Sequence, residues 1–162
     1  MDIFLLRVAL ILCLLLSALP VTAQTITGVA SVTDGDSLEI RGIRIRLHGI
    51  DAPESRQLCT RPSDETWRCG QQAALALSDR IGRRSVSCES RDTDRYGRTI
   101  AVCLQDGVDL NAWMVREGWA AAYRQYSRDY VPAEADARRA GRNIWSGTFV
   151  MPWDWRRGAR SP

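Results

Sequence analysis

From Thr25 to Gly49 apolar and polar positions alternate: Ile26 and Val32 lead, Leu38 and Ile40 follow, and Ile43, Ile45 and Leu47 resume after Arg41-Gly42. A period of two interrupted by a short glycine-containing break predicts a hairpin preceded by a third strand. Successive side chains alternate across a strand, so Ile43, Ile45 and Leu47 share one face while Arg44, Arg46 and His48 share the other.

The period then lengthens. QQAALALSDRIGRR places Ala73, Leu77 and Ile81 on one stripe and predicts a helix of about three turns. Residues 85–88 and 99–104 read as strands on either side of RDTDRYGR. Asp109 is a candidate cap for DLNAWMVREG, where Leu110, Trp113 and Met114 form a stripe and Gly118 stops the helix. Pro132 opens a last helix through AEADARRAGRNIW. The order of three strands, a helix, two strands and two helices excludes alternating βαβ units. It predicts an α+β, mainly β fold, an antiparallel barrel with helices packed on it.

The first residues run apolar from Ile3 to Leu19 and end in Val21-Thr22-Ala23, the pattern of an export signal cut after Ala23. The run is short of the ~20 residues of a spanning helix, which makes a membrane anchor the weaker alternative. The remainder is long enough for one domain with its own core, and no repeat divides it. It keeps four cysteines, Cys59, Cys69, Cys88 and Cys103. An even number in an exported, periplasmic or secreted chain predicts two disulfides among three possible connectivities. A Cys59–Cys69 bond would staple the polar loop 55–70, and Cys88 and Cys103 stand nearly opposite each other about their connection, as a Cys88–Cys103 cross-strand bond requires.

The net charge of +3 is mild and does not by itself establish a polyanionic partner. All the basic residues other than His48 are arginines, whose planar fork suits phosphate. A single histidine excludes two-histidine acid–base cleavage of RNA and histidine-rich zinc sites. Four acids cluster instead: Asp34 and Asp36 in TDGDS, Asp51 and Glu54 in IDAPE. Converging carboxylates suit a hard divalent cation, although aspartates flanking a glycine are also ordinary turn residues. A helix–loop–helix calcium loop starting at Asp34 fails, because Ile45 stands where the bidentate glutamate belongs. The hairpin decides in favour of a site. The strand carrying Arg46 pairs with the one beginning at Asp36, which brings Asp36, Arg46 and the Asp51–Glu54 turn to one end of the sheet. Arg98 closes the DRYGR turn further on.

VTDGDSLEI, RLHGIDAPE, DRYGR and NIWS, in that order over residues 26–147, resemble the motifs of the staphylococcal nuclease-like (thermonuclease) domain. The resemblance implies a five-stranded oligonucleotide-binding (OB-fold) barrel with three helices, spanning residues 24–147 between a signal (1–23) and an aromatic, basic tail (148–162). It also implies a calcium-dependent endonuclease that hydrolyses phosphodiester bonds of DNA and RNA, acting as a monomer. Asp36, Asp51 and the backbone carbonyl of Ala52 match the family's Ca2+ ligands, and Glu54 matches the glutamate beside the metal-bound water, usually drawn as general base. Arg46 and Arg98 match the arginines that hold the phosphate. Tyr96 and Tyr123, with Arg95, fall where the nucleotide is bound. The chain departs from the family in its four cysteines and its 55–70 loop. Ser37, where threonine is usual, keeps the hydroxyl. Trp153 and Trp155 lie beyond the resemblance, in a tail that either folds back on the barrel or extends the nucleic-acid surface. The rival expectation is a catalytically inactive binding module on the same barrel, which would have no use for acids that repel phosphate.

Overall fold

The computed structural model describes residues 24–160; the predicted export signal lies outside the described residues. β1 (Thr25–Asp34) is the longest strand and pairs antiparallel with β2 (Ser37–Ile40) on one side and β7 (Ser85–Thr93) on the other. β2 turns into β3 (Ile43–Leu47) through Arg41 and Gly42, both at positive φ, the geometry whose twist matches a two-residue hairpin. β7 pairs with β8 (Thr99–Gln105), and β8 returns to β3, so that β3, β2, β1, β7 and β8 close into a barrel.

The closing seam is parallel, with Ile45, Arg46 and Leu47 opposite Thr99, Ile100 and Ala101. This differs from an all-antiparallel barrel for a reason of parity. Directions cannot alternate all the way around a ring with an odd number of strands, so one seam must run parallel. Short strands decorate the barrel: β4 (Ile50–Asp51) pairs with β10 (Ala121–Ala122), β5 (Cys59–Thr60) with β6 (Thr66–Trp67), and β9 (Val108–Asp109) folds back antiparallel on the end of β8.

The barrel interior holds Ile26, Leu38, Ile40, Ile45, Leu47, Val86 and Ala101. Onto it pack α1 (Cys69–Ile81), through Ala73, Leu77 and Ile81, and α2 (Leu110–Arg116), through Leu110 and Met114. Asp109 caps α2 as its position predicts, accepting a hydrogen bond from the Ala112 amide at 2.9 Å. α3 (Val131–Arg139) carries Pro132 in its first turn and is followed by a 3-10 turn at Asn143–Ser146 and by α4 (Pro152–Arg156). Both predicted disulfides are present. Cys88 and Cys103 are register partners across β7 and β8, and Cys59–Cys69 ties β5 to the start of α1 in a satellite core with Ile144, Trp145 and Phe149. Trp67, Trp113, Trp119 and Trp145 pack, half-buried, around these cores.

Two close approaches fix where the acids stand. A Cβ on Gly35 would lie 2.7 Å from that of Ala52 and 2.8 Å from that of Ala73, so only glycine lets the Asp34–Asp36 turn sit against the Asp51–Glu54 turn and α1. A Cβ on Gly70 would lie 1.8 Å from the backbone oxygen of Glu54. Gly70→Ala therefore pushes the Glu54 turn away from α1 and is expected to cost about 1–3 kcal/mol, as overpacking does, read as a lower midpoint in urea. An unchanged midpoint would show that the turn and helix are not held in this contact.

Candidate active site

The site is built where β2, β3 and β4 meet. Ser37 and Arg46 are register partners, which sets the guanidinium beside Asp36, one residue before β2. Arg46 Nη2 lies 3.0 Å from Asp36 Oδ2 and 2.6 Å from Asp51 Oδ1. Asp51 is held in turn by pairing with Ala121 of β10, and its side chain is wholly buried. Asp36 Oδ1 accepts from the Ser37 hydroxyl at 3.0 Å and Oδ2 from the Ala52 amide at 3.2 Å, so Ser37 keeps the hydroxyl in use. The Glu54 turn is braced by the fully buried Gln57, whose Oε1 accepts from the Glu54 amide and whose own amide donates to the Glu54 carbonyl at 2.7 Å.

Carboxylates crowded out of water compete for cations, and their proton affinities reflect it. Burial works to raise Asp36, but the Arg46 charge and the hydrogen bonds it accepts outweigh that and hold it below the usual carboxylate range. Asp34, whose carboxylate accepts from the Asp36 amide at 3.3 Å, is pushed up to about 7 by burial and by the neighbouring Asp36 charge. Burial raises Asp51 to about 6, with the Asp36 charge adding to it and hydrogen bonds and charge from Arg156 and Arg46 opposing it. Burial opposes the Arg46 charge, yet Asp36 and Asp51 together hold its proton more firmly than usual.

A residue that no motif marks completes the group. Arg156, in α4, donates from Nη1 to Asp51 Oδ1 at 2.9 Å, from Nη2 to Asp51 Oδ2 at 2.7 Å and from Nη1 to Glu54 Oε1 at 2.7 Å. The tail thus folds back on the barrel. Trp153 of the same helix stacks on Tyr123, centroids 5.1 Å apart and planes 11° from parallel. Tyr123 itself follows β10 and donates its amide to the Gly49 carbonyl, so it belongs to the same side as Asp51. With guanidinium groups standing between the carboxylates, no trio of acidic, histidine or cysteine side chains among the described residues is gathered closely enough to hold a metal ion as it stands. His48 is a half-buried strand-end residue whose carbonyl accepts from Asn111.

Arg98, Tyr96 and Arg95 lie in a separate turn beside this group. Ile100 is the register partner of Arg46, which brings the DRYGR turn alongside β3, and Arg44 donates to the Tyr96 carbonyl at 3.0 Å. Asp94 organises the turn: it accepts from the Tyr96 and Arg98 amides, both at 2.9 Å, and from Arg98 Nε at 2.8 Å. Tyr96 is 59% exposed, with Arg95 over its ring at 4.9 Å. Among the described residues the ion pair of Arg98 is with Asp94, not with Asp36, Asp51 or Glu54.

Burial of Asp94 is outweighed by its hydrogen bonds from Arg98 and Tyr96, which hold it below the ordinary 3.8. A depressed carboxylate lends stability that is present above its ordinary pKa and lost as pH falls through its folded value. The Arg98 Nε–H resonance is accordingly expected to hold its position down to acid pH and to shift with a midpoint below 3.8; a midpoint at or above that value would contradict the pair.

Comparison with known proteins follows the same outline. A family described as "Staphylococcal nuclease homologue" matches residues 44–147, a span that includes Arg46, Asp51, Glu54 and Arg98 and stops short of α4. A micrococcal nuclease of Shigella flexneri is 33% identical over 165 residues, covering 91% of this chain and 89% of that protein. An uncharacterized endonuclease of Escherichia coli O157:H7 is 36% identical, covering 90% and 94%. A succinoglycan biosynthesis protein, ExoI, of Rhizobium meliloti (strain 1021) is 38% identical, covering 76% of this chain and 66% of its own length.

Proposed function

This chain belongs to the staphylococcal nuclease family, and from that premise we propose that it is an exported, calcium-dependent nuclease hydrolysing phosphodiester bonds of DNA and RNA. The observation that carries the reading is the cluster in which Arg46 contacts Asp36 and Asp51 while Asp51 and Glu54 share a second cation. The donor set fits a hard divalent ion: its side-chain donors are carboxylate oxygens, and Asp36, Asp51 and Glu54 outnumber Arg46 and Arg156 even before Asp34 is counted. Asp36 and Asp51, with the Ala52 backbone carbonyl and Glu54 beside them, would hold Ca2+, which when bound supplies charge neutralisation of the phosphate and a polarised water.

The chain's own residues do the rest. Glu54 is about one-third exposed, 32% of its side chain, and so can reach an attacking water and accept its proton. Arg46, permanently charged and anchored on two buried acids, donates to a phosphate oxygen, and Arg98, oriented by Asp94, opposes the charge that grows on the phosphoryl group. Tyr96, Arg95 and Tyr123 offer flat faces for a base; stacking is indifferent to base identity and to the sugar, which supports action on both nucleic acids. Two disulfides support an oxidising compartment, with residues 1–23 removed as the export signal, 24–147 forming the nuclease domain and 148–162 an appended tail. The protein is expected to act as a monomer.

The deciding experiment incubates the mature protein with denatured DNA and with RNA, in calcium and in chelator. Cleavage that chelator abolishes is the expected result. Binding without cleavage would convert the protein into a nucleic-acid-binding module, and neither would leave the acids a structural role.

A further inference from the structure

The tail contacts sort into an anchor and a latch. Thr60 and Thr148 exchange both backbone hydrogen bonds at 2.9 Å, and buried Gln57 donates to the Val150 carbonyl, so the chain is fastened through Val150 to the stapled loop and to the Glu54 turn. Past Met151, α4 reaches the site, among the described residues, through the Arg156 fork on Asp51 and Glu54 and the Trp153 ring on Tyr123. The other polar contacts of this segment are internal to it, Arg157 with Asp154 and Arg160 with the Trp155 and Ala159 carbonyls, and would survive if the helix swung out.

Each latch contact copies something the site is built to receive. A guanidinium bonded to both oxygens of Asp51 and to Glu54 satisfies the same acceptors that a hard cation would take. An indole stacked nearly parallel on Tyr123 covers the face that a nucleobase would use. Asp51 is wholly buried and without Arg156 would be left with Arg46 alone, so Arg156 leaves at least cost when another cation takes its place. Exchange, not simple detachment, is therefore the favoured route.

We propose that α4 is an autoinhibitory strap: Arg156 holds the cation position between Asp51 and Glu54, Trp153 holds the base position on Tyr123, and a divalent cation together with a nucleic-acid strand displaces both. The inference rests on the reading of the site as a calcium-dependent nuclease. It makes apparent calcium affinity a property of the tail, since an ion that binds only the open form is weakened by the fraction of time the strap is closed.

Calorimetric titration of CaCl2 into the full mature chain, without nucleic acid, tests this. Arg156→Ala is expected to bind calcium about tenfold more tightly than the unaltered chain, as for a strap closed roughly nine-tenths of the time. Trp153→Ala touches no carboxylate, yet loosens the same helix and is expected to tighten calcium in the same direction. It should also strengthen binding of a short oligothymidylate measured by fluorescence anisotropy in chelator. Calcium affinity unchanged or weakened in both variants overturns the strap, as does the lack of calcium binding by all three proteins. The two readings fail separately: cleavage by the unaltered chain with no gain in affinity in either variant sinks the strap alone, whereas a gain in affinity without cleavage by any protein sinks the nuclease reading alone.

Discussion

Glu54→Gln lowers kcat on denatured DNA at saturating calcium by about 10²–10⁴-fold, the range that a positioned general base contributes. Glutamine matches the size of glutamate, and the contacts that place this turn are made by its backbone: the Glu54 amide donates to Gln57 Oε1, and the Glu54 carbonyl accepts from the Gln57 amide. What is lost is the oxygen that takes the proton. Glutamine keeps an oxygen for Arg156, so the part-exposed ion pair at 2.7 Å becomes a neutral hydrogen bond and stability should fall by no more than about 1 kcal/mol. Arg98→Ala should lower kcat by about 10²–10³-fold by removing a donor to the developing charge. Its effect on folding should also be small, since Asp94 keeps its hydrogen bonds from the Tyr96 and residue-98 amides. Turnover at the unaltered rate in both variants would refute these roles.

Arg46→Ala has the larger effect on stability. Removing one partner of a buried ion pair costs about 3–5 kcal/mol, because the charge left behind has lost its compensation. Asp36 would keep the Ser37 hydroxyl and the Ala52 amide, and Asp51 would keep Arg156, so the loss should fall near the lower end of that range. Calcium should restore part of it, about 2.7 kcal/mol at a hundredfold excess over the dissociation constant, because a ligand bound only to the folded state stabilises it. Arg46→Lys separates the two duties of this residue: a lysine keeps the charge and much of the stability, but cannot reproduce the fork and should cleave poorly. Denaturation of the three proteins in calcium and in chelator reads these effects. An alanine variant that unfolds with the unaltered chain in chelator would show that the cluster does not hold this end of the barrel.

Much of the fold was legible because it is local. Alternation from Ile26 to Leu47 predicts three strands, and the hairpin register follows from the Arg41-Gly42 break, which by itself brings Arg46 to the end of the sheet where Asp36 stands. The α1 stripe at Ala73, Leu77 and Ile81 and the Asp109 cap are likewise short-range signals. The parallel seam between β3 and β8 was not legible, because it is a property of the closed ring and not of any segment in it. Gln57 was not legible either. Nothing in its neighbourhood marks a surface-loop glutamine as the wholly buried brace of Glu54, and its partners are scattered between residues 54 and 150. For Arg156 and Trp153 the signal was compositional only, an arginine-rich tail with two tryptophans, which fitted a docked helix and an open nucleic-acid surface equally.

By itself, then, the order of residues determined the strands, most of the helices, the two cysteine pairs and which acids and arginines are candidates for the proposed site. Those follow from periodicity, spacing and motif, which are written along the chain. Tertiary structure alone decided the second cation: Asp36 and Asp51 share Arg46, as the hairpin register implies, whereas Asp51 and Glu54 close on Arg156, which lies 105 and 102 residues further along the chain. A buried carboxylate takes whatever positive charge the fold delivers to it, and the fold delivers by distance in space, to which separation along the chain is no guide.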